Sequence, residues 1–163
     1  MVRKAARRRG ITVVETILVF SVCLMFVFGI LEYGRFLATQ QIMENAAREG
    51  ARYAIANTAT ATTASVQNLV DQMMAGQGAQ LGSGYDKTTS IQVYKCDPIT
   101  LNPLDANDNV VASWTQAPFT NAQFDQGVAV RVSGTYTPLL PSILFLGQTM
   151  PLQATCVMCS EAN

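Results

Sequence analysis

At 163 residues the chain has room for one modest domain, and setting its N-terminal apolar run aside leaves about 130 residues for a folded body. It contains no histidine, which removes the commonest general base, the commonest metal ligand and every histidine-dependent nucleophile, so no enzyme and no cofactor is expected. The formal net charge is zero, but Arg3, Lys4, Arg7, Arg8 and Arg9 all precede the first acid, Glu15; the remainder carries six basic and eleven acidic side chains, which argues against a nucleic-acid partner.

Residues 11–31, ITVVETILVFSVCLMFVFGIL, form a run of twenty-one residues with one charge. That is close to the roughly 20 residues a helix needs to cross about 30 Å of hydrocarbon. The apolar side chains go all the way round the helix instead of forming one stripe, so a small soluble core could not enclose them. The basic cluster just before the run sets its orientation, with the N-terminus in the cytoplasm and the rest of the chain exported. A secretory signal has a shorter apolar stretch of roughly 7 to 15 residues and a small-residue cleavage site. Here the run passes through Glu32, Tyr33, Gly34 and Arg35 without a turn signal, and retention of the segment is expected.

Glu15 lies inside this run, where an ionised side chain at the bilayer centre would cost on the order of 3 kcal/mol. Either it snorkels to the cytoplasmic headgroups from one turn in, or it has a positive partner. Cutting the chain after Gly10 would create one: the new amine of Ile11, one helical turn away in the same chain or in a neighbouring copy.

The string Arg7-Arg8-Arg9-Gly10 followed by Ile11-Thr12-Val13-Val14-Glu15 and a long apolar helix resembles a type IV pilin leader, with glycine before the scissile bond and glutamate at the fifth mature position. Residues 28–35, FGILEYGR, with residues 45–54, NAAREGARYA, are similar to TadE-like proteins, minor pilins of tight-adherence (Flp) pilus systems. The resemblance implies a leader of residues 1–10 removed between Gly10 and Ile11 by a prepilin peptidase, with Glu15 serving assembly. It further implies a single-pass protein of the inner (cytoplasmic) membrane, its head outside, that enters or founds a pilus active in assembly, adhesion or secretion. Membrane lipid, the peptidase, other pilin subunits and inner-membrane assembly proteins would be its partners. The rival reading is an uncleaved, membrane-anchored extracytoplasmic binding module.

No proline interrupts residues 32–57, and residues 40–52 are rich in good helix formers, so the helix should protrude to about Asn57. Tyr33, Leu37, Ala47, Ala51 and Ala54 fall toward one side; the small residues there suit packing either on the chain's own sheet or on another subunit. Glu32 with Arg35, and Glu44, Arg48, Glu49 and Arg52, have pairing spacings that suit a solvated helix face.

Residues 58–163 then form the exported head. Val66, Leu69, Val70, Met73 and Met74 recur as in an amphipathic second helix. The glycine-rich stretch 76–84 lacks the lysine of a P-loop and reads as a flexible connection. Strands are expected at 89–96, 109–115, 127–137 and 152–160, giving a small antiparallel sheet and an α+β fold: a long N-terminal helix, first transmembrane and then protruding, packed on that sheet with a second short helix. Asp97, Asp105 and Asp108 lack EF-hand spacing and read as a polar loop. Residues 137–151 carry Leu139, Leu140, Ile143, Leu144, Phe145 and Leu146, a set that either closes the fold over the sheet or meets another subunit. Cys156 and Cys159 would point to opposite faces of a strand, which argues against a shared metal or redox site; a disulfide from Cys96 to Cys156 or Cys159 suits an oxidising compartment.

Overall fold

Between residues 9 and 56 there is no proline, and long unbranched side chains alternate with alanine through the second half. The computed structural model, which describes residues 9–58, 60–75, 81–82, 84–105, 107–111, 119–122, 126–139 and 149–159, turns this stretch into one helix, α1 (Arg9–Ala56). Its 48 residues reach about 70 Å at about 1.5 Å each. The two halves differ in what they touch. The apolar window has a mean hydropathy of 2.5 and is buried nowhere. From Glu32 onward one side is covered, at Glu32, Thr39, Met43, Ala46, Ala47, Gly50, Ala51 and Ala54, spacings of three and four that keep one face inward.

What covers that face is the chain's own head. A second helix, α2 (Thr63–Met73), starts at a capping box in which Thr62 Oγ1 accepts from Ser65 N–H while Ser65 Oγ accepts from Thr62 N–H. Val66, Val70 and Met74 are its buried stripe. A short helix, α3 (Lys87–Ser90), capped by Asp86, leads into the sheet. The buried Gln67 amide donates to Ile91 C=O at 2.8 Å, tying α2 to the start of the first strand.

The sheet has three antiparallel strands, β1 (Ile91–Cys96), β2 (Gly127–Tyr136) and β3 (Met150–Cys159), with β2 in the centre. Cys96 lies opposite Gly127, which lies opposite Cys159; at the other end Tyr136 is opposite Met150. The period of two sends Val128, Val130, Val132 and Tyr136 toward the helices. Each of the three valines, fully buried, is worth about 1.5–3 kcal/mol relative to exposure. Ala47, Ala51 and Ala54 pack in this same core, so their small size serves the fold of the chain itself.

Gly50 marks the closest approach. A Cβ built there would stand 2.5 Å from Val70 Cγ2 and 3.4 Å from Val130 Cγ1, so only a residue without a side chain lets α1, α2 and β2 meet.

Several expectations change. The strand expected at 109–115 does not join the sheet over its described part: residues 97–105 and 107–111 fold back on themselves, with single bridges from Cys96 to Pro103 and from Leu104 to Val110. Lys95, buried on β1, reaches Asp108 and holds that loop down; residues 112–118 lie outside the described residues. Helix α3 occupies the start of the strand expected from residue 89. In the glycine-rich connection, Leu81 is fully buried in the core.

The disulfide expected from Cys96 to Cys156 or Cys159 is not formed in this structure, where all three cysteines are free thiols. Cys96 and Cys159 share a face but flank Gly127 from opposite strands, about 10 Å apart by two strand spacings, against a disulfide limit of about 7 Å between Cα atoms. Cys156 pairs with Val130 and faces the helices, away from Cys96. Burial pushes the Cys96 thiol up to about 11, which keeps it protonated and unreactive.

Candidate functional site at the end of the apolar run

The helix leaves its apolar run at Leu31, and the next residue is an acid on the buried face. Glu32 is only 5% exposed. A carboxylate in that position needs donors, and the fold brings three. Tyr136, the last residue of β2, donates its hydroxyl to Glu32 Oε1 at 2.5 Å. The backbone N–H of Leu139 donates to the same oxygen at 3.2 Å. Arg35, one turn on, lies 3.4 Å from both carboxylate oxygens. The pair read as a solvated i,i+3 bridge is therefore the fixed point of a buried cluster, because the acid falls on the inward stripe of α1.

Phe36 completes the cluster, its ring meeting that of Tyr136 edge to face at a centroid distance of 5.5 Å and an angle of 85°. Burial, and then the bond to Glu32, push the Tyr136 phenol up to about 12. The phenol thus stays a donor across the physiological range; its contribution to stability is complete below its ordinary value near 10 and is lost as pH rises toward 12.

Around this cluster lies apolar space. A cavity of about 430 Å³ is lined by Gly29, Glu32, Tyr33, Phe36, Tyr136, Pro138 and Met150. A second, of about 410 Å³, is lined by Met25, Phe26, Gly29, Ile30 and Tyr33, so the two share Gly29 and Tyr33 and run from the head onto the apolar run. The arrangement latches the head to the helix.

The other residues singled out from the sequence lie elsewhere. Arg3, Lys4, Arg7 and Arg8 are outside the described residues, whereas the backbone of Arg9, Gly10 and Ile11 already belongs to the first turn of α1. Glu15 sits on the exposed surface of the helix, about 25 Å along the axis from Glu32. Glu44 accepts from Gln40 at 3.1 Å and Arg48 donates to Asn45 at 3.3 Å, ordinary contacts of a solvated face. Asp97 and Asp105 spend their carboxylates on their own turns, accepting from Ile99 and Thr100 and from Asn107 and Asn109 respectively. Among the described residues no three His, Cys, Asp or Glu side chains come together as a metal site. Of the apolar set in 137–151, Leu139 is described and exposed, while Leu140 to Leu146 fall outside the described residues.

Residues 10–52 fit the family described as TadE-like protein, a stretch that begins at the glycine before Ile11 and takes in the apolar run, Glu32, Arg35 and Gly50. No curated protein and no solved structure matches the chain.

Proposed function

We propose, from the premise that the chain is a TadE-like protein over residues 10–52 and hence associated with a tight-adherence pilus, that it is a minor pilin of that pilus. A prepilin peptidase cuts it between Gly10 and Ile11. The helix then resides in the inner membrane with the N-terminus cytoplasmic and the head outside, before packing laterally among other pilin subunits and inner-membrane assembly proteins. Its role is structural, in assembly, adhesion or secretion, and not catalytic.

The observation that carries this reading is the division of α1. Through Val27 the described side chains of the apolar run are all exposed, while the part beyond it is buried on one side by the chain's own head. A helix dressed this way offers lipid, or a ring of like helices, a continuous apolar surface while carrying a folded body at its other end. The exposed carboxylate of Glu15 fits that use, since it needs a partner that the chain's head, one span away, does not supply.

The N-terminal residue of the protein recovered from assembled pili decides the cut. Sequencing should return Ile11; Met1, or loss of the initiator alone, in assembled material would leave the uncleaved anchored module as the better account. Glu15→Ala should leave membrane insertion intact, as judged by flotation with vesicles, and reduce the amount of subunit in sheared filaments several-fold. Unchanged filament content would remove Glu15 from assembly.

A further inference from the structure

We propose that the membrane-side edge of the head, formed by Pro138, Leu139 and Met150 beside Tyr33, seats on the phospholipid headgroup layer around the helix, so that the head stands on the bilayer with no stalk between them. The inference rests on the spanning role given above to the apolar run.

The geometry leaves little choice once residues 11–31 span. Twenty-one residues rise about 31 Å, which uses the whole hydrocarbon thickness of about 30 Å. Yet Pro138 and Met150 line a cavity together with Gly29, two residues before the run ends, or about 3 Å back along the axis. The head therefore begins at the hydrocarbon boundary. The headgroup layer, about 5–7 Å thick on each side, must close around the turn that holds Glu32, Tyr33 and Arg35.

The side chains at this level suit that layer. Leu139 is 68% exposed although its backbone N–H is tied to Glu32, so the apolar side chain is held outward at a fixed height. Tyr33 is 62% exposed and has the amphipathic ring favoured at membrane interfaces. The cavity lined by Met25, Phe26, Gly29, Ile30 and Tyr33 continues the lipid-facing surface of the helix into the cavity beneath the head. Glu32, the one acid among the described residues here, would be repelled by lipid phosphates if it faced them, and it is instead enclosed with Tyr136, Leu139 N–H and Arg35. Arg35 keeps 31% of its side chain exposed, and this is the charge that faces the phosphates.

The test uses the full-length chain in vesicles of phosphatidylcholine and phosphatidylglycerol. A ketone-bearing residue replaces Leu139, Arg52 or Val19 in turn, and each carries an environment-sensitive fluorophore. A headgroup-level quencher should dim the probe at 139 at least about threefold more than the probe at 52, which lies about 30 Å farther along the helix. A deep acyl-chain quencher should dim the probe at 19. Equal dimming at 139 and 52, with 19 quenched, overturns the seat and leaves the span intact; an unquenched 19 overturns both. Energy transfer between copies at 139, with lipid quenchers ineffective there, also overturns it and assigns the edge to a second copy of the chain.

Discussion

Replacing Glu32 with alanine should destabilise the head by about 2–4 kcal/mol, although the residue lies at the helix end nearest the membrane and contributes no apolar area. The loss comes from what remains behind. Tyr136 Oη and Leu139 N–H, both aimed at Glu32 Oε1, would be left as donors without that acceptor. Arg35, part exposed, can turn to water and adds little to the penalty. Glu32→Gln keeps an acceptor oxygen in place and should cost only about 1 kcal/mol, and Tyr136→Phe, which removes the donor and keeps the ring against Phe36, about 1–2 kcal/mol. The measurement is the urea midpoint of the full chain in detergent micelles. In the double variant the Glu32→Ala and Tyr136→Phe losses should fall short of additivity by about 1 kcal/mol or more. Equal midpoints for Glu32→Ala and Glu32→Gln would mean that the hydrogen bonds do not hold the head.

This cluster also shows where a sequence can be read and where it cannot. The apolar run, the uninterrupted helix beyond it and the small-residue face of Ala47, Ala51 and Ala54 rest on local pattern, and pattern located them to within a residue or two. The alternation of Val128, Val130 and Val132 likewise locates the central strand, because a half-buried strand writes its period into its own residues. Glu32 beside Arg35 has an equally clear local meaning, a helix-surface pair, and that meaning is incomplete. Its decisive partner, Tyr136, is 104 residues away, and no spacing within the helix reports a donor arriving from the end of a strand. The available signal was the inward stripe itself: counting back from Met43 by steps of four and three reaches Thr39, Phe36 and Glu32, which places the acid under the head. The thiols depend on long-range order in the same way. Parity along β3 separates Cys156 from Cys159, but strand order decides which of them could approach Cys96, and the order puts β2 between them.

The second large effect is at Gly50, where adding atoms should destabilise more than removing them from most core sites would. A methyl group at this position would meet Val70 Cγ2 at 2.5 Å, well inside contact distance, and valine is stiff about χ1, so the strain must pass to the backbone of α1 or α2. Gly50→Ala gains about 1 kcal/mol of helix propensity and should still lose about 1–2 kcal/mol net to overpacking. Gly50→Val, with further carbons between Val66, Val70 and Val130, should lose more than about 3 kcal/mol and loosen α2 from the rod. The companion experiment removes the obstructing methyls. Val70→Ala alone should cost on the order of 2 kcal/mol by leaving a void, yet in that background Gly50→Ala should become neutral or stabilising, because its new methyl occupies the vacated space and the helix propensity is then gained without strain. Such a reversal of sign, read from urea midpoints of the four chains, is specific to a close approach of two helices. If Gly50→Ala has the same effect whichever residue stands at position 70, the glycine is not there to let α1 and α2 meet. The idea that the TadE-like stretch carries the docking groove for its own head would then fail with it.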